Sequence, residues 1–192
     1  MKNRILLGIF CSCFLLACQD RSLPKPKALL RLEYPDTGQV PFETDHFSFS
    51  RNTLSKIKNN DGSSLTLDYP AMNASIFITY KKVGDDLNKL LSDAQRLSYE
   101  HVVKADGIYE ERVENEAHRV YGMYYEVQGN AASQSQFYLT DSTGHFVTGS
   151  LYFYAAPNYD SILPAAVYLQ NDIRGIIRSL RWKEYWVQSI EY

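Results

Sequence analysis

The stretch "NYDSILPAAVYLQNDIRGIIRSLRW", residues 158–182, decides the fold class. Its apolar residues Ile162, Leu163, Ala166, Val167, Leu169, Ile173, Ile176, Ile177 and Leu180 recur at three and four, the period of a helix with one broad buried face. Asp160 or Ser161 can cap its start, and Pro164 is tolerable in a first turn, where a missing N–H has no intrahelical partner to lose. Such a helix needs an apolar surface to cover.

The residues before it supply strands. "GIYEERVE" (107–114), "HRVYGMYYEVQG" (118–129), "SQSQFYLTD" (133–141) and "HFVTGSLYFY" (145–154) alternate or are rich in aromatic and β-branched residues. They are separated by Asn115-Glu116, Gly129-Asn130 and Ser142-Thr143-Gly144, spacings that suit an antiparallel meander. Earlier come "HFSFS" (46–50), "SLTLDY" (64–69) and "ASIFITYKKV" (74–83), with "NNDGSS" marking the turn between the first two. In "DDLNKLLSDAQRLSYEHVVKA" the period returns to helical through Leu87, Leu90, Leu91, Ala94 and Leu97, extended by Tyr99 and Val102. Asp85 can cap that helix and Asp106-Gly107 can close it. The pattern predicts an α+β fold, one antiparallel sheet covered by two helices. The element order resembles the Mog1/PsbP-type sandwich, an analogy of order alone.

The N-terminus reads differently. Lys2 and Arg4 precede an apolar run from Ile5 to Leu16, too short to span a bilayer, and Leu15-Leu16-Ala17-Cys18 fits the bacterial lipobox. The expected organisation is a signal peptide over 1–17, a lipidated anchor and Pro/Lys spacer over 18–28, and a single domain with an aromatic tail over 29–192. Cys18 is the expected lipidation site, its thiol carrying diacylglycerol and its amine an acyl group such as palmitate. Each buried CH₂ contributes about 0.8 kcal/mol, so two or three chains hold the protein on the membrane. Pro24, Pro26, Pro35 and Pro41 keep the following segment extended, and Cys18 to Lys27 can reach roughly 30 Å.

Cys11 and Cys13 lie inside the signal, so no disulfide and no free thiolate remains in the processed chain. Without Lys2 and Arg4, the 20 basic and 22 acidic residues leave a net charge of about −4 and no dense basic stretch. Nucleic acid is not an expected partner.

Motifs for chemistry are missing. There is no G-x-S-x-G, no H-E-x-x-H and no glycine-rich phosphate loop after a strand, and Gly149-Ser150 sits inside an alternating run where Gly149 permits close packing. His46, His101, His118 and His145 lack metal-ligand spacing; His46, His118 and His145 fit strand-edge hydrogen bonding and His101 a helix C-terminus. Glu110, Glu111, Glu114 and Glu116 fit a solvated strand face with Arg112 and Arg119 near. No metal, cofactor or catalytic residue is expected. The tail "RWKEYWVQSIEY" carries more aromatic area than a wet segment needs, so Trp182, Tyr185 and Trp186 are candidate partner-binding residues, with packing on the parent domain as the commoner outcome.

The lipobox, "PKPKALLRLEYP", "LSDAQRLSYEHVVKADGI" and "APNYDSILPAAVYLQNDIRGIIRSLRWK" together resemble the gliding motility lipoprotein GldD family of the Bacteroidetes. The resemblance implies a cell-envelope lipoprotein that serves gliding and the associated type IX secretion machinery, with no known catalytic residues. It implies partners among motility and secretion proteins, and the membrane through the lipid anchor. Gln19-Asp20-Arg21 lacks the acidic run of a surface-export signal, which points to a periplasm-facing domain, with the outer membrane's inner leaflet preferred. The role expected is that of a non-enzymatic accessory or scaffold. The alternative is a periplasmic small-ligand binder or enzyme with a non-contiguous site, for which Tyr159, Asp160, His101 and Lys104 are the first residues to test.

Mass spectrometry of the natural protein should find residue 18 as the first residue, carrying diacylglycerol and an acyl chain. A Cys18→Ala chain should keep its leader and lose the lipid mass. An unlipidated or uncleaved natural protein would remove the anchor from the account.

Overall fold

The computed structural model describes residues 33–100, 105–154 and 158–183. Seven strands form one antiparallel sheet: β3 (Lys56–Asn60), β4 (Ser64–Tyr69), β5 (Ala74–Lys82), β6 (Gly107–Asn115), β7 (Val120–Gln128), β8 (Ser135–Thr140) and β9 (His145–Phe153), in the order β3-β4-β5-β9-β8-β7-β6. Three more, β1 (Gln39–Glu43), β2 (Phe47–Asn52) and β10 (Arg181–Trp182), form a second antiparallel sheet in the order β1-β2-β10. Helix α1 (Leu87–Glu100) connects β5 to β6, and helix α2 (Tyr159–Ser179) connects β9 to β10.

Alternation along the central strands assigns each side chain to a face. Ile76, Ile78 and Tyr80 of β5, Phe137 and Leu139 of β8, and Val147 and Leu151 of β9 point to one side, where they meet Leu169, Ile173, Ile176 and Ile177 of α2 and Phe47 and Phe49 of β2. Tyr125, Tyr138 and Phe146 point to the other, against Leu90 and Ala94 of α1. The α+β expectation therefore holds, with one helix on each face. The single sheet does not: "HFSFS" belongs to β2 in the small sheet, which shares the α2 face. "NNDGSS" turns β3 into β4 and does not join "HFSFS" to "SLTLDY", because β3 intervenes. In that turn Asp61 Oδ1 accepts the N–H groups of Ser63 and Ser64 at 3.1 and 2.7 Å, and Gly62 takes φ 85°.

Several boundaries and faces differ from expectation. Helix α2 starts a turn before Pro164, with Asn158 as its N-cap residue, so the proline lies beyond the first turn and has no N–H for the Asp160 carbonyl. The N-cap position falls on Asn158 and not on Asp160 or Ser161; the N–H of Tyr159 goes to Asn130 Oδ1 at 2.9 Å, and Ser161 Oγ donates back to Asn158 O at 2.8 Å. In α1 the first helical carbonyl is that of Asp86, accepting from Leu90 at 3.0 Å. Its buried stripe is narrower than the spacing predicts: Leu97 and Tyr99 are 49 % and 48 % exposed, and Ser98 is buried instead, donating to Ala94 O and Gln136 Oε1. Val167 of α2 is likewise exposed, while Asp172 on the same helix is buried. Val102 lies outside the described residues.

Asp172 has a purpose in the interior. Its Oδ1 accepts Asn52 Nδ2 of β2 at 3.0 Å and its Oδ2 accepts the Tyr69 hydroxyl of β4 at 2.9 Å. Asn52 Nδ2 also reaches the Tyr168 hydroxyl at 2.8 Å, and that hydroxyl donates to Pro35 O at 3.0 Å. Thr37 donates to Asn52 Oδ1, and the Tyr34 ring packs on Tyr168 at 5.3 Å. The segment 34–37 is thus fastened to the small sheet and to α2 at one place, and Asp172 carries that place on to Tyr69 of the large sheet. Gly149 behaves as expected: a Cβ there would overlap the Phe137 ring lying across it from β8.

Burial raises the Asp172 pKa above its ordinary value, although Asn52 and Tyr69 oppose the shift. A raised carboxyl contributes stability that is full below about pH 3.8 and fades as pH climbs through the folded value. Denaturant unfolding of wild type and Asp172→Ala should show two things. The variant should be less stable by roughly 2 kcal/mol, because the Tyr69 hydroxyl and one Asn52 donor lose their buried acceptor, and the gap should be larger at pH 3.5 than at pH 7. A gap that widens with pH would reverse the assignment.

Candidate functional site

The C-terminal end of α2 builds the most organised polar and aromatic corner. Leu180 leaves helical geometry at φ −62°, ψ 135°, and the chain passes at once into β10, whose Trp182 pairs with Phe47. Ser179 Oγ donates to Gly175 O at 2.7 Å and accepts the Ser50 N–H at 2.9 Å, locking the helix end to β2. Arg181 folds back to give Nη1–H to the carbonyls of Arg178 and Leu180 at 3.1 and 2.7 Å, a cation on the negative end of the helix.

Trp182 is half-buried on its own domain. Its Nε1–H donates to Arg119 O at 2.9 Å, and its ring stacks on His145 at 5.1 Å and meets Phe47 edge-on. His145 Nδ1 lies 3.0 Å from the Tyr80 hydroxyl, and His46 stacks on Tyr80 at 4.0 Å. Two histidines far apart in sequence therefore flank one tyrosine. Among the described residues, no group of three or more His, Cys, Asp or Glu is placed to hold a metal.

Asp141 fixes the β8–β9 turn that carries His145. Its Oδ1 accepts the N–H groups of Thr143, Gly144 and His145 at 3.0, 2.8 and 2.8 Å, and its Oδ2 accepts the Thr143 hydroxyl at 2.9 Å. Burial alone would raise its pKa; the donors of Gly144, His145 and Thr143 together win and hold it at about 2. His145 also lies below its ordinary 6.5, for a different reason. Burial pushes it down, Asp141 pulls it back, and the charges of His46, Arg119 and Lys82 push it further down. Beside these residues opens a cavity of about 240 Å³, walled by His118, Arg119, Asp141, His145, Arg181 and Trp182.

A larger groove of about 520 Å³ runs between β6 and α2. Its central cation, Arg174, pairs with Glu126 at 2.8 Å and Glu111 at 3.3 Å while lying over the Tyr124 ring at 4.7 Å. Burial pushes the Tyr124 phenol up to about 12. Of the acidic residues expected on a solvated face, Glu114 is exposed and pairs with Arg112, and Glu110 accepts the Tyr99 hydroxyl. Glu111 instead faces α2 and Arg174, so the groove's charges largely satisfy one another.

The residues singled out in the sequence are not gathered into one site. Tyr159 opens α2, its phenol raised by burial, and Asp160 beside it is exposed; neither lines the two cavities above. Cys18, His101, Lys104, Tyr185 and Trp186 lie outside the described residues. Sequence reasoning missed Arg119, Asp141 and Arg181 as neighbours of His145. Only Asp141-Ser142-Thr143-Gly144 carried a local signal, as a turn whose first carboxylate bonds the amides that follow.

A family model described as gliding motility lipoprotein GldD matches residues 19–182. The chain belongs to the GldD family. No curated protein matches it. Membership makes this GldD-family chain a gliding motility lipoprotein of the cell envelope, associated with a membrane through a lipid anchor. GldD is not a known enzyme family. Among the described residues no helix is long and apolar enough to cross a membrane.

The Asp141 turn predicts an acid-limb effect. A carboxyl with folded pKa near 2 stabilises the fold above about pH 4 and loses that contribution as pH falls toward 2. Asp141→Asn should lower stability at pH 7 by roughly 1–2 kcal/mol, and the difference from wild type should close between pH 4 and 2 in denaturant titrations.

Proposed function

We propose that this protein is a non-enzymatic accessory or scaffold for gliding motility and for the type IX secretion machinery of Bacteroidetes. In this reading acyl chains on Cys18, palmitate among them, hold the domain at the inner leaflet of the outer membrane, facing the periplasm, and its core is a Mog1/PsbP-type sandwich. Family membership supports the motility role. The observation that carries the scaffold reading is the placement of the two chain ends on β2. The entering segment is fastened at Asn52, through Thr37, while the departing segment leaves past His46, whose carbonyl accepts the Lys183 N–H at 2.8 Å. At about 3.3 Å per residue the two roots stand roughly 20 Å apart along that strand. A lipid leash at one end and an aromatic tail at the other let the domain hold a partner away from the bilayer.

Partner contact is assigned to Tyr185 and Trp186, with Trp182 as the root that aims them. Trp182 itself is spent on His145, Phe47 and the Arg119 carbonyl, so its loss should cost folding more than capture.

Cross-linked envelopes from cells with full-length protein should yield motility or secretion components on pull-down. Removal of 184–192 should reduce that recovery severalfold and leave the thermal midpoint of the domain unchanged, whereas Trp182→Ala should lower the midpoint. Recovery of the protein alone under several cross-linking conditions would sink the scaffold reading. Undiminished capture by the shortened chain would move the partner surface off the tail.

A further inference from the structure

We propose that the cavity walled by Arg119, Arg181 and Trp182 is a binding site for a phosphate-type oxyanion. The proposal does not depend on the scaffold reading. Arg119 follows the turn between β6 and β7 in left-handed geometry, φ 51°, and Arg181 belongs to β10, so two separate elements bring arginines to the wall of one concavity of about 240 Å³.

Among the described residues both arginines spend their donors on neutral acceptors. Arg119 Nη2 reaches Thr143 Oγ1 at 3.0 Å and Asp141 O at 3.4 Å, and Arg181 Nη1 reaches the carbonyls of Arg178 and Leu180. Arg96, Arg112 and Arg174 differ, each holding a carboxylate within 3.4 Å. A guanidinium with donors left over and no paired carboxylate among the described residues, set in a concave wall, is suited to a planar or tetrahedral oxyanion that accepts two hydrogen bonds from each fork.

The one carboxylate on the wall is already engaged. Asp141 turns Oδ1 to three amides of its own loop and Oδ2 to a hydroxyl, so it does not bond either guanidinium side chain. His118 stands on the same wall, and Lys82 and His46 are near enough to depress the His145 pKa. Arg119, Arg181 and nearby Lys82 thus outnumber the single Asp141 carboxylate at this end of the sheet, in a chain whose net charge is −2. The larger groove lacks this imbalance because Glu111 and Glu126 already claim Arg174. Trp182 gives the site an optical reporter, since its indole forms a wall and the chain has only two tryptophans.

The oxyanion has two sources, a phospholipid headgroup of the supporting membrane or a free phosphate-bearing solute, and one experiment separates them. Full-length lipidated protein carrying Trp186→Phe is held in neutral detergent and titrated with potassium phosphate against potassium chloride at fixed ionic strength, following Trp182 emission. A saturable change with phosphate and none with chloride is expected. Arg181→Gln should weaken it at least tenfold, while Lys56→Gln on the distant β3 should leave it unchanged. Should Arg181→Gln lower the thermal midpoint, Arg181→Lys replaces it; it keeps the charge, loses the fork and should weaken binding severalfold. The same protein is then reconstituted into phosphatidylglycerol or phosphatidylcholine vesicles. If the bound-state emission appears in phosphatidylglycerol alone and is lost with the Arg181 variant, the headgroup is the source; if it appears only on adding phosphate, the solute is. Equal responses to chloride and phosphate, no response at all, or equal weakening by Lys56→Gln overturn the site.

Discussion

One buried carboxylate holds the layers of this fold in register. Asp172 projects from the middle of α2 toward the Tyr69 hydroxyl on the large sheet and the Asn52 amide on the small one. An apolar residue there would pack any helix against any sheet; a carboxylate with two directional donors accepts only one rotation and one axial position of α2. The cost is desolvation, which burial expresses by raising the Asp172 pKa and also the Tyr69 pKa. Because Asn52 also meets Tyr168 and Thr37, the point that seats the helix is also the point where the segment before β1 is held.

Parity along the central strands then does the rest. β5 and β9 pair without a break from Ala74↔Phe153 to Lys82↔His145, so no bulge shifts a side chain to the wrong face. Phe137 lies over Gly149 and fills on the α2 side the room a side chain would have taken. The α1 side is thinner, resting on Leu90, Ala94 and three aromatic rings. That asymmetry explains why Leu97 and Tyr99 stay wet although their spacing marks them as apolar-face residues.

Strands with strict alternation and aromatic or β-branched filling were legible: "SLTLDY" matches β4 residue for residue, and all four strands after α1 lie where the pattern predicts. Three strands were missed: the two-residue β10 is too short to show a period, and the other two have physical excuses. Lys56–Asn60 is exposed along its whole length and carries two lysines, so burial left no period to see. Gln39–Glu43 contains Pro41, which is tolerated because β1 is an edge strand paired on one side. The family pieces were readable because each is local. The corner around His145 was not, since His46, Tyr80, Arg119, Asp141 and Trp182 come from five places in the chain and converge only when the sheet orders β5 and β9 side by side. Buried Asp172 was equally hidden, for no sequence period marks a carboxylate as inward-facing.

Charge is distributed along the molecule in a way that separates support from recognition. Where Arg174 crosses from α2 to the sheet, its charge meets two carboxylates and an aromatic face, and the result is a strut between layers. Where α2 ends, the helix presents carbonyls that call for a cation, and Arg181 answers with donors to spare. Termination of a helix therefore has a by-product: it places positive charge at a surface concavity without requiring a carboxylate to neutralise it. Arg119 arrives there for an independent reason, as the left-handed residue that ends the turn before β7. Two solutions to backbone geometry thus leave unspent charge on the same wall, next to the point from which the aromatic tail departs. A partner or ligand meeting this end of the domain encounters cations that the fold positions for its own needs, so recognition here requires no change in the structure that supplies it.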